Sequence, residues 1–158
     1  RLAREKTPVI TTLETPFEIG KAQVFYKSPI TNTQSPKRVG IIGTGSLLHK
    51  ALVAAKELEG EGIAVTVLNL GTIKPLDEQS VIELAKECGR IVTVEEHQVA
   101  GGMGSAVAEC LARTHPVPME FVGVQDRFGQ SGRPDEIVEH YGMGVSHIKE
   151  AVKRVLSR

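Results

Sequence analysis

Three groups of residues have types and spacings that could do chemistry. The first is Glu95-Glu96-His97, two acids and an imidazole in a row, followed closely by Gly101, Gly102 and Gly104. A carboxylate beside a histidine can move protons, and the same residue types can ligate a metal. Two adjacent acids and one histidine are too few and too loosely spaced for a closed metal site. The favoured reading is a polar strand end that hydrogen-bonds loops or a neighbouring chain. Glu95, Glu96, His97, Gly101 and Gly102 are therefore candidate interface or interdomain residues, the glycines allowing close approach to another backbone.

The second group is Thr44-Gly45-Ser46, which follows an apolar run and opens a helical one. Free N–H groups at a helix start attract anions, so Thr44, Gly45 and Ser46 are candidate anion contacts. Lys74, in the loop Gly71–Leu76, joins them as a possible cation. The details do not match a nucleotide site. Leu48 stands where a dinucleotide fingerprint needs its third glycine, and no Gly-Lys-Ser/Thr follows. A plain tight turn fits better at Gly45, and a local carboxylate partner fits better for Lys74. The third group is Arg127 and Arg133 in a glycine-rich turn. Either could grip an anion bidentately, but a salt-bridged loop is the favoured reading. No nucleophile elbow, Ser/His/Asp order or metal spacing appears.

The elements that must position these residues follow from the apolar pattern. Val39 to Gly43, Ile63 to Leu68, Ile91 to Val94 and Met119 to Val124 are short apolar runs, as strands buried on both faces would be. Between them lie helical patterns. Residues 47–59 put Leu47, Leu48, Ala51, Leu52, Ala55 and Leu58 on one face. Asp77 is a good N-cap for the helix carrying Val81, Leu84 and Cys88, and Gly89 ends it. A helix after the glycines carries Ala106, Val107, Cys110 and Leu111. Pro134 suits a first helical position, and Ser146 is the expected cap of the last helix. Residues 21–26 partly alternate, as an edge strand would, and join the next strand through an exposed loop at 28–38.

Strand–helix alternation predicts a three-layer α/β/α fold with a five-stranded, mostly parallel sheet. The first strand is expected antiparallel, because the 28–38 connection is too short for a crossover helix. Residues 1–12 read as a linker or arm from a preceding domain, and 13–158 as one domain.

Composition narrows the function. Lys plus Arg and Asp plus Glu are equal at 19 each, giving no formal net charge, so binding to nucleic acid or an anionic membrane through bulk charge is disfavoured. Trp is absent and aromatics make up 4%, which argues against base-stacking platforms. No apolar run approaches the roughly 20 residues of a membrane span. Cys88 and Cys110 fall on apolar helix faces and read as small buried hydrophobes in a reducing compartment. The expected location is cytoplasmic.

In one order the chain carries Phe17-Glu18-Ile19-Gly20-Lys21-Ala22, Gly43-Thr44-Gly45, Thr72-Ile73-Lys74-Pro75-Leu76-Asp77, Thr93-Val94-Glu95-Glu96-His97 with Gly101-Gly102-Met103-Gly104, and Ser131-Gly132-Arg133-Pro134 with Tyr141-Gly142. As a set, over residues 8–157, these motifs resemble the C-terminal domain of transketolase-type, thiamine-diphosphate-dependent enzymes. The same domain closes 2-oxoacid dehydrogenase β subunits and deoxyxylulose-phosphate synthases. The Ser-Gly-x-Pro turn with Asp135-Glu136 and Tyr141-Gly142 tilts the resemblance to transketolase. It implies a domain that supplies no catalytic residue and binds no cofactor of its own. Thiamine diphosphate and Mg2+ would lie in upstream domains or a separate large subunit, in a homodimer that moves two-carbon ketol groups between sugar phosphates. A different class of function, a small-anion regulatory module at the strand ends 43–46, 71–74 and 95–104, is the alternative.

Overall fold

The structure, a computed structural model, describes residues 6–30 and 37–158. Among these described residues five strands form one sheet: β1 (Gln23–Lys27), β2 (Arg38–Gly43), β3 (Ala64–Asn69), β4 (Ile91–Gln98) and β5 (Met119–Val124). Five helices accompany them: α1 (Leu48–Gly60), α2 (Glu78–Cys88), α3 (Met103–Thr114), α4 (Pro134–His140) and α5 (Val145–Leu156). The sheet order is β1-β3-β2-β4-β5. As expected, β1 runs antiparallel to its neighbour while the other pairs are parallel.

Side-chain alternation along the strands builds two cores, one on each face. Val39, Ile41, Val65, Val67, Val92 and Val94 face α1 and α5. Ile42, Leu68 and Ile91 face α2 and α3. Gly40 is required on the second face, since a Cβ there would lie 2.7 Å from Leu84 Cγ and 2.8 Å from Ile91 Cδ1. Cys88 and Cys110 are buried free thiols, in line with the sequence reading.

Local signals account for most helix ends. Asp77 caps α2, its Oδ1 accepting the Ser80 N–H at 3.1 Å, and Gly89 closes the helix in the left-handed region at φ 68°. Asp77 does a second job. Its Oδ2 accepts the Ala22 N–H at 2.9 Å and the Ser80 hydroxyl at 2.8 Å, so the chain entering β1 is tied to the start of α2. Burial pushes the Asp77 carboxyl up, but these hydrogen bonds and nearby Lys21 outweigh it and hold it below its ordinary value.

Several expectations are corrected. Ser146 does not cap α5. Gly144 occupies the N-cap, no side-chain bond is made there, and Ser146 is an exposed residue inside the helix. A 3-10 turn at Gly45–Leu47 precedes α1, which therefore starts one residue later than expected. β4 does not stop at Val94 but continues through Glu95, Glu96 and His97 to Gln98. Its ladder with β5 becomes irregular between Val94 and Gln98. Residues 6–12 carry no helix or strand and are exposed apart from Ile10. Residues 1–5 of the expected arm and 31–36 of the expected loop lie outside the described residues.

Candidate functional site at the carboxyl edge of the sheet

From β2 the chain crosses by α1 to β3 on one side. From β3 it crosses by α2 to β4 on the other side of β2. The direction of winding therefore reverses between β2 and β4, and the crevice beyond their carboxyl ends is where open α/β sheets meet ligands. Two of the three sequence-predicted groups come together at this point. The Thr44 N–H donates to the Val94 carbonyl at 3.2 Å, and the Ser46 hydroxyl donates to the Glu96 carboxylate. A cleft of about 750 Å³ opens there. Ser46, His49, Lys50 and Glu96 line one side, and residues between Gln130 and Val138 the other. Lys6, Thr7 and Pro8 lie along it.

Its lining charges balance, Lys6 and Lys50 against Glu96 and Asp135, and do not select an anion. Glu96 sits on the 44–46 turn that would have offered N–H groups to one, and Lys50 Nζ lies 3.7 Å from Asp135 Oδ1. Lys74 is not brought into the cleft. It is exposed in the loop after β3, and no carboxylate lies within 4.0 Å of it among the described residues. The local partner expected for it is thus not found there.

Glu95 is the main departure from the sequence reading. It was expected at a surface, yet its side chain is buried with 1% exposure. Oε2 accepts the Met103 N–H and Oε1 the Gly104 N–H, both at 2.7 Å. The carboxylate thus supplies the N-terminal cap that α3 lacks from its own N-cap residue, Gly102, and sits where the helix dipole favours negative charge. The glycines permit it. A Cβ on Gly102 would lie 2.5 Å from Glu95 Oε2 and 2.3 Å from the Gln98 carbonyl oxygen, and one on Gly104 would lie 2.7 Å from Thr93 Oγ1. The close approach made by Gly102 and Gly104 is to this chain's own strand. Gly101 is exposed at φ 74°, its N–H bonded to Ser105 Oγ. His97 is exposed, its Nδ1 2.9 Å from the Gln98 carbonyl oxygen.

Arg127 and Arg133 are exposed and make no ion pair among the described residues. Their loop is held through backbone instead. Gln98 donates to the Arg127 carbonyl at 2.9 Å and accepts the Asp126 N–H at 3.0 Å, while the Tyr141 hydroxyl donates to the Phe128 carbonyl at 2.5 Å. Sequence reasoning missed Gln98, and no local pattern marks it, because its partners lie 28 and 29 residues away. Glu95 could have been found by parity, since it shares its strand face with Ile91 and Thr93 once β4 is extended.

Comparison with known proteins places this geometry. Residues 31–148 match the family model described as transketolase, C-terminal domain. The chain is 39% identical over 158 residues to the 6-deoxy-6-sulfo-D-fructose transketolase subunit SqwH of Clostridium sp. (strain MSTE9). That match covers all of this chain and 47% of the relative. It is 41% identical over 154 residues to transketolase-like protein 2 of Mus musculus, covering 97% of this chain and 23% of the relative. A solved structure described as a split gene transketolase, inactive beta4 tetramer, superimposes with a TM-score of 0.87 at 39% identity, over 98% of this chain and 48% of that one. The chain thus spans about half the length, or less, of the curated relatives it matches. With fold, motif order and sequence in agreement, the chain belongs to the transketolase C-terminal domain family.

Proposed function

We propose that this chain is the assembly domain of a transketolase, while thiamine-diphosphate chemistry is carried by other parts of the enzyme. The complete enzyme, a homodimer, would transfer a two-carbon ketol group between sugar phosphates. The observation that carries the reading is the match of the whole chain to less than half of a protein named as a transketolase subunit. Relatives named as transketolases or transketolase-like proteins favour this over a 2-oxoacid dehydrogenase β subunit.

The residues here do not fit the diphosphate–metal group of the cofactor. Among the described residues no cluster of three or more His, Cys, Asp or Glu side chains could hold a metal ion. The two buried carboxylates, Glu95 and Asp77, are already committed to backbone N–H groups, and Glu96 is committed to Ser46. The exposed parts of the 95–102 segment, Glu96, His97 and Gly101, remain the proposed contacts to a neighbouring domain or chain. Isothermal titration of the chain with thiamine diphosphate and Mg2+ is expected to give no binding heat. Micromolar binding would overturn the reading.

A further inference from the structure

Phe17, Ile19 and Ile73 form an apolar corner outside both cores, with exposures of 74%, 71% and 36%. Leu13, on the arm leading into it, is 107% exposed. The backbone beneath these side chains is fixed. The Gly20 N–H donates to Thr72 Oγ1 at 3.1 Å, and the Ala22 N–H to Asp77 at 2.9 Å. A Cβ built on Gly71 would lie 3.6 Å from the Phe17 ring. The segment 17–22 is therefore laced onto the 71–77 loop while Phe17 and Ile19 stay largely exposed, the edge of the Phe17 ring lying by Gly71. Glu18, Lys21 and Lys74 are exposed in the same two segments, with Glu14 just before them, and give them a polar surround of both signs. An apolar centre with a polar rim is the anatomy of an interface, and held backbone lowers the entropic cost of docking.

The comparisons indicate what covers it. The matched relatives are longer than this chain, and the matching family model is a C-terminal domain. Their additional length therefore lies largely on the amino-terminal side, the side from which Leu13, Phe17 and Ile19 enter the fold. We propose that this corner seats the amino-terminal, cofactor-binding part of a transketolase subunit, with Phe17 and Ile19 as its anchors. The proposal rests on the transketolase reading and adds the surface through which the two parts meet.

Hydrogen–deuterium exchange on the complete enzyme and on the isolated chain tests it. Amides of residues 17–22 and 71–75 are expected to exchange at least tenfold more slowly in the complete enzyme, and those around Phe128, which is 98% exposed elsewhere, at an unchanged rate. Phe17→Ser with Ile19→Ser is expected to leave the melting temperature of the isolated chain unchanged, since both side chains are exposed. In the complete enzyme it should erase that protection, whereas Phe128→Ser should not. Unchanged exchange at this corner in an enzyme that transfers ketol groups would overturn the proposal and leave the transketolase reading standing. If no assembly containing this chain transfers ketol groups, the reading itself falls. Protection that instead arises in the isolated chain on concentration, and is lost with Phe17→Ser, would give the corner to a second copy and overturn the proposal.

Discussion

Glu95→Gln is the sharpest perturbation of the carboxyl edge, because it keeps the volume and removes only charge and one acceptor. In the native chain each carboxylate oxygen accepts one backbone N–H at 2.7 Å inside a dry site. The amide keeps one oxygen and turns an NH2 group against the other N–H. One charge-assisted bond, worth about 1.5–3 kcal/mol, is lost and a buried donor is left unmatched. The remaining bond also loses its charge at the positive end of α3. Together this predicts a destabilisation of about 2–4 kcal/mol, against total stabilities of roughly 5–15 kcal/mol. In a chain of this size each kcal/mol moves Tm by about 2–4 °C, so a fall of roughly 5–15 °C follows. Gly102→Ala should also destabilise, since its Cβ would sit 2.3 Å from the Gln98 carbonyl oxygen and 2.5 Å from Glu95 Oε2. The two sites touch, so the double variant need not equal the sum of the singles. Urea unfolding followed by circular dichroism measures all three. A Glu95→Gln chain within about 0.5 kcal/mol of the parent would refute the capping argument.

Asp77 sets a pH dependence. Its folded carboxyl lies below the ordinary value of about 3.9, so its stabilisation is fully present above that value and fades as pH falls through the lower, folded one. Below about pH 4 the parent should therefore lose more stability than Asp77→Asn, which starts lower for want of the Ala22 bond; parallel acid titrations of the two chains would contradict this. Cys88 is pushed up to about 11, first by burial and then by Glu87. At pH 8 only about one molecule in a thousand carries its thiolate, so alkylation should be slow in the folded chain and fast in urea, and rapid native labelling at Cys88 would count against the burial.

What was legible in the sequence was whatever depends on near neighbours. The alternation of Val39 to Gly43 with the Leu48–Leu58 face, the Asp77 cap and the antiparallel first strand are each specified within a few residues, and the structure contains them. What escaped depends on how the elements meet, through partners from eight to 29 residues away, or on a helix start shifted by a residue or two. Polar residues at 95–98 read as the end of a strand because polarity usually means solvent. Here Glu95 faces inward because a helix N-terminus eight and nine residues later arrives to receive it. Ser146 looked like a cap, but the helix begins earlier at Val145 behind Gly144. Arg127 and Arg133 looked like the fasteners of their loop, a role taken by Gln98 through backbone groups.

This distinction bears on what the acid-rich strand end can do. Both Glu95 oxygens are already engaged, each accepting one backbone N–H at the start of α3. They are engaged inside a site with 1% exposure. Asp77 is bound by the same logic, its two oxygens serving the Ala22 and Ser80 N–H groups and the Ser80 hydroxyl. Asp77 ties the chain entering β1 to the start of α2, and Glu95 ties β4 to the start of α3. Asp77 also fixes the backbone that presents Phe17 and Ile19. Two acids of the kind that could do chemistry are thus given to rigidity here.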